Sequence, residues 1–281
     1  MPEATVLAAT VRGQGPTVLL LHGFAQDGRA MDGLQDALRA HFRAVAVDLP
    51  GHGRSPLLGS ENYCAGTVQA LWDLADRLGA GQAALVGYSF GARLAAWAAL
   101  ARPERCWALV LESMAPRLAD AERAARLAAD TRLAESILSQ PVSDFVARWE
   151  DQPVFSSQRQ LSRAALAGQR RMRLAQDPSG LAAALAGGGQ AVNALGPDQL
   201  AGLRVPTLLL AGERDAPYAA HLKRLGESIA GAEQAVVSGA GHNLQLEAEE
   251  ETASRILAFL SRAGPGAGEP EERARGQRRH S

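Results

Sequence analysis

The sequence predicts an α/β chain in which a mostly parallel sheet carries helices on both faces. Three observations lead there. Short apolar runs recur along the chain with helix-patterned stretches between them. The runs are apolar on both faces, as strands of a parallel sheet covered on two sides must be. One of them ends on a serine between two glycines, "GYSFG", and a helix follows at once. A serine in an ordinary loop needs no such frame.

Taken in order, "ATVLAATVRG" offers one or two antiparallel edge strands, and Val18 to Leu21 and Ala44 to Val47 are the first buried strands. Val68, Leu71, Leu74, Ala75 and Leu78 share one helical stripe. "AALVG" runs into the serine turn, a helix continues from Ala92 through Leu100, and "CWALVLES" is the next strand. From about Ser113 to Leu203 the rhythm breaks. That interval is dense in Ala, Arg, Leu and Gln, and "AERAARLAADTRLAESIL", "DFVARWEDQ" and "RQLSRAALAGQRRMRLA" read as helices. An all-helical insertion between two strands of a parallel sheet lies over the strands' carboxyl ends, where such sheets bind ligands, so a lid is expected. "VPTLLLAGE" and "EQAVVSGAG" resume the strands, and Ile256, Leu257 and Leu260 mark a last helix.

The expected division is a core over residues 1–112, a helical lid over 113–203, a second part of the core over 204–262, and a disordered tail over 263–281. The tail has no aliphatic residue larger than alanine, so it cannot bury enough apolar area to offset its ordering entropy.

With 281 residues, 47% of them hydrophobic, the chain can build a real core. A formal net charge of −1 leaves no electrostatic footprint for nucleic acid or an acidic membrane. The chain shows neither a transmembrane-length apolar run nor a basic region leading into an apolar stretch at its start. Cys64 and Cys106 fit free, buried thiols. A cytoplasmic monomer or small homo-oligomer is expected, with no nucleic-acid partner and no stable membrane insertion.

The chemistry centres on Ser89. Gly87 and Gly91 flank it at two residues either side, where larger side chains would collide with the neighbouring strand and helix. A serine hydroxyl is a weak nucleophile or base unless a histidine takes its proton and an acid orients that histidine. His242, in the glycine-flanked loop between the last strand and the last helix, is the histidine placed to reach back. Asp215, just past "LLLAG", is the preferred acid, with Glu213 and Glu112 as competitors and a helix N-cap as its other possible role. Backbone N–H groups of Phe90 and of Phe24, in "LLLHGFAQDG", are the expected oxyanion donors. His22 is expected to shape its turn rather than act as a base.

Along nearly its whole ordered length the chain resembles the α/β-hydrolase superfamily, on "HGF", "DLPGHGRS", "GYSFG", "GERD" and "GAGH". The resemblance implies the triad Ser89–Asp215–His242 and neither metal nor organic cofactor. It does not imply a substrate. "GYSFGAR", "ERAARLAAD", "WEDQPVF" and "QRRMRLAQDPSGLA" further resemble the 2-succinyl-6-hydroxy-2,4-cyclohexadiene-1-carboxylate synthases of menaquinone biosynthesis. That family uses the scaffold as a lyase, abstracting a ring proton and eliminating pyruvate without an acyl-enzyme. Its substrate is a small polycarboxylate, which makes pocket arginines chemically expected.

The matches imply substrate-binding roles for Tyr88, Arg93, Arg126, Trp149 and Arg173. Against the family pattern, Pro217 stands where a lysine is common, and Gln245 where a second histidine often occurs. "LAGGGQAVNAL" also departs from the expected threonine-containing segment. A serine hydrolase of small esters, thioesters or C–C bonds is the alternative reading. A non-enzymatic receptor on the same fold is a third.

Overall fold

The computed structural model describes residues 5–265, so the expected tail lies, beyond Pro265, outside the described residues. The strands are β1 (Ala9–Arg12), β2 (Thr17–Leu21), β3 (Arg43–Val47), β4 (Ala83–Tyr88), β5 (Cys106–Glu112), β6 (Thr207–Gly212) and β7 (Glu233–Val237). The helices in the first half are α1 (Asp32–Leu38), α2 (Tyr63–Arg77) and α3 (Phe90–Ala101). Between β5 and β6 come α4 (Asp120–Ser139), α5 (Val142–Glu150), α6 (Arg163–Leu174), α7 (Pro178–Gly188), α8 (Gln190–Asn193) and α9 (Pro197–Ala201). The chain closes with α10 (Ala216–Ser228), α11 (Leu244–Glu247) and α12 (Glu249–Ala263).

The sheet runs β1-β3-β2-β4-β5-β6-β7. Only β1 is antiparallel, pairing with β3 from Ala9↔Val47 to Arg12↔Ala44, so the opening segment supplies one edge strand. The alternation of side chains along each strand divides the core in two. Leu19, Leu21, Val45, Leu85 and Leu109 belong to the cluster that includes α2 and α3. Val18, Leu20, Val86, Val110 and Leu208 belong to the cluster that includes α1 and α12. All ten are buried, and each such side chain contributes about 1.5–3 kcal/mol relative to leaving it in water. This two-sided burial is why the strands read as continuous apolar runs.

From β2 the chain steps to β3 on one side, and β4 lies on the other. The loops after β2 and β4 therefore diverge over a crevice, the topological switch point at which open α/β sheets bind ligands. The register Leu21↔Gly87 brings the two loops out side by side.

The helices after β5 pack over this crevice. Ile137, Phe145, Val146, Leu181 and Leu185 form a separate apolar cluster with Ala25 of the loop after β2. Cys106 is buried and Cys64 half-buried, and both are free thiols. Among the described residues no helix is long and apolar enough to cross a membrane.

Candidate active site

Ser89 sits at the sharp turn from β4 into α3 with φ 50° and ψ −100°, a conformation that L residues rarely adopt. The flanking glycines allow it. A Cβ on Gly87 would meet the Gly91 carbonyl at 2.5 Å and Ala92 Cα at 2.6 Å, and one on Gly91 would meet the His22 carbonyl at 2.6 Å. The strand, the turn and the helix approach too closely for any side chain there.

His242 follows β7 in a loop and turns its ring toward Ser89. Its Nε2 accepts from the Ser89 hydroxyl at 3.0 Å, and its Nδ1–H donates to Asp215 Oδ2 at 2.7 Å. These partners assign the tautomer. Asp215 occupies the N-cap position of α10, but its side chain makes no capping hydrogen bond. It faces His242 instead. Of its competitors, Glu213 accepts from the Gly239 N–H, and buried Glu112 is held by Gln245. Tyr218 stacks edge-on to His242 with ring centroids 4.3 Å apart, which fixes the plane of the imidazole.

In the loop after β2, the N–H groups of Gly23, Ala25 and Gln26 donate to Gln26 Oε1, His52 Nε2 and the Gly23 carbonyl, respectively. The Phe24 N–H has no acceptor among the described residues. Phe90 is the first residue of α3, so its N–H has no intrahelical acceptor either. Both residues line the cavity over Ser89. His22 has both ring nitrogens engaged, with the Gly23 carbonyl at 2.7 Å and the Leu49 N–H at 3.0 Å. Burial lowers its pKa. It is a neutral fixture of the turn.

The cavity over Ser89 measures about 560 Å³, and all five residues expected to bind substrate line it. Tyr88 is buried, and its ring packs against Gly23. Arg93, one turn into α3, is 7% exposed and donates through Nη2 to the Gly188 carbonyl at 3.1 Å. Its Nε has no partner among the described residues. Burial lowers its pKa to about 10, which leaves it cationic at neutral pH. Arg126 of α4 pairs with Asp130 at 2.7 Å and reaches Gln190.

Trp149 of α5 lies edge-on to Phe24, and its indole N–H has no partner among the described residues. Arg173 points inward from a basic run whose neighbour Arg171 is exposed. It pairs with Glu150 at 3.2 Å while its Nε has no partner among the described residues. Buried cations with unfilled donors are unfavourable unless an anion completes them. The roof of this cavity therefore favours a ligand carrying carboxylates.

The cavity also takes in Gln26, Gln152, Arg214 and Tyr218, which sequence reasoning did not single out. Tyr218 had a readable signal: three residues past Asp215, it lies on the first turn of the same helix. The glutamines carry no such pattern.

A family model described as the α/β hydrolase fold matches residues 16–249. The 2-succinyl-6-hydroxy-2,4-cyclohexadiene-1-carboxylate synthase of Escherichia coli O1:K1 is 32% identical over 261 residues, covering 88% of this chain and 92% of that protein. A Bacillus subtilis relative, provisionally given the same name, is 33% identical over 258 residues, covering 89% and 94%. Among solved structures, MenH from S. aureus superposes with a TM-score of 0.84 at 26% identity, covering 91% of this chain and 98% of its own. The fold, the site and these relatives agree: this chain belongs to the α/β-hydrolase fold family, in the branch that contains the 2-succinyl-6-hydroxy-2,4-cyclohexadiene-1-carboxylate synthases.

Proposed function

We propose that this protein is a carbon–oxygen lyase that eliminates pyruvate from 2-succinyl-5-enolpyruvyl-6-hydroxy-3-cyclohexene-1-carboxylate. The observation that carries this reading is the gathering of Arg93, Arg126 and Arg173 into one cavity with Ser89. An esterase for neutral substrates has little use for the buried, incompletely paired guanidinium groups of Arg93 and Arg173, with Arg126 beside them, whereas a substrate with several carboxylates fills them.

In this reading Ser89, with its proton drawn by His242, serves as the base that removes the ring proton. The imidazolium that forms is stabilised by Asp215. The electron pair released from the C–H bond moves through the ring and breaks the C–O bond to the enolpyruvyl group, which takes up a proton and leaves as pyruvate. Negative charge developing on the succinyl carbonyl is held by the Phe24 and Phe90 N–H groups. Tyr88 and Trp149 wall the ring, and the helices over residues 113–203 act as a lid that excludes water. No step requires a metal or organic cofactor.

The test is pyruvate release from this substrate by the purified protein, with Ser89→Ala beside it. Serine-dependent release at kcat/KM of about 10⁵ M⁻¹s⁻¹ or better is expected. Release at the spontaneous rate would overturn the reading and turn the search to esters and thioesters of small acids. For those substrates the same triad would form an acyl-enzyme that water hydrolyses.

A further inference from the structure

Two consecutive residues, the last of β5 and the one after it, touch the triad from behind without lining the cavity. The Glu112 carbonyl accepts the Ser89 N–H at 2.8 Å. The Ser113 hydroxyl donates to the His242 carbonyl at 2.7 Å. The Glu112 carboxyl, fully buried, accepts from Gln245 Nε2 at 2.8 and 2.9 Å, three residues beyond His242. The Ser113 N–H donates to the Leu210 carbonyl of β6 at 2.8 Å, which anchors the dipeptide to the sheet. Ser89, His242 and the helix start just beyond the histidine are thus referenced to the same two residues.

The conformation of Ser113 is informative. Its φ of 47° makes it, with Ala25 and Ser89, one of three non-glycine residues at positive φ among the described residues. Glycine adopts that region without penalty, and an L side chain does not. A turn alone would be better served by glycine. What glycine lacks is the hydroxyl, and Ser113, 1% exposed, does not line the cavity.

We propose that Glu112 and Ser113 form a positioning clamp that holds the His242 loop in register with Ser89. Ser113 is the positioning residue that keeps Nε2 within hydrogen-bond reach of the nucleophile. The clamp rests on the proposed roles of Ser89 and His242. Its physical need is plain: His242 lies on a glycine-flanked loop outside any strand or helix, and small displacements of a reacting group cost rate steeply.

The test compares Ser113→Gly with Ser113→Ala in the full-length protein. Both remove the hydroxyl, but glycine relieves the positive φ and alanine retains it. The readouts are Tm and kcat for pyruvate release. A third is the rate of labelling by a fluorophosphonate, in which Ser89 Oγ attacks phosphorus, fluoride leaves and the proton passes to His242. Labelling reports the Ser89–His242 pair whatever the natural substrate.

A similar loss in both variants, of about tenfold in kcat and in labelling rate, is expected, with KM unchanged and Tm higher for glycine than for alanine. Native rates in Ser113→Gly, or losses that simply follow Tm, would overturn the clamp. If the native protein labels but releases no pyruvate, the lyase reading fails while a slowed label in both variants still supports the clamp. If the native protein does not label at all, the role of Ser89 falls, and the clamp falls with it.

Discussion

The floor and the roof of the cavity are held in opposite ways. The floor is built from strand ends: Ser89, Asp215 and His242 each find a partner, and the hydrogen bonds run in one unbroken chain. The roof is helical, and its polar groups are left incomplete, with Arg93 Nε, Arg173 Nε and the Trp149 indole N–H buried without partners among the described residues. A floor complete before any ligand arrives is preorganised for chemistry. A roof with unmet donors gains its last hydrogen bonds only when a ligand supplies acceptors, which is how a site selects for anions.

Removing the floor's centre is expected to have the largest effect. Ser89→Ala should lower turnover by about 10³-fold or more while leaving Tm nearly unchanged, since no core packing is lost. Pyruvate release alongside thermal denaturation checks both. A modest loss of turnover would erase the distinction between a catalytic floor and a binding roof.

Next comes the roof. Arg93→Ala should reduce kcat/KM for an acidic substrate by about 100-fold and for a neutral ester far less. Stability should hold or rise, because an incompletely paired buried cation is gone. Equal losses on both substrates would take Arg93 out of the binding role.

Tyr218 stands where floor and roof meet, and Tyr218→Phe keeps its ring against His242 while removing the hydroxyl. A loss of about tenfold in kcat/KM would mark a hydroxyl that contacts substrate. No change would assign Tyr218 to the floor, as packing for the imidazole.

An effect on stability rather than on turnover concerns Glu112, which the floor buries. Desolvation raises its pKa to about 8, so the folded protein binds a proton that the unfolded chain releases near pH 4.5. Stability from this group is present in full below that lower pKa. It is lost as pH rises toward 8, by up to about 1.4 kcal/mol per pH unit. Glu112→Gln should therefore gain on the native protein between pH 5 and pH 8, as read by urea denaturation at both ends of that window. A constant difference across the window would mean that Glu112 does not titrate there.

Much of this was legible in the sequence because it depends on local patterns. Apolar runs buried on two faces, the glycines around Ser89 and the serine–acid–histidine order arise from sterics and chain direction, and they hold whatever the details of packing. The inward turn of Arg173 beside exposed Arg171 was not legible from a basic run alone, since side-chain direction there depends on how α6 lies against its neighbours. Gln245 read only as a departure from a family pattern, yet it is the partner of buried Glu112.

The sequence by itself therefore determined the fold class and singled out Ser89, His242 and a short list of acids as the candidate site. These follow from short-range geometry: a strand, a turn too tight for side chains, and loops that leave the same edge of a sheet. Only the tertiary structure decided which arginines enter the cavity, which of three acids meets His242, and that Glu112 and Ser113 grip the triad from behind. Those facts depend on contacts between segments up to 133 residues apart, and a one-dimensional pattern carries no record of which side chains will meet across such a distance.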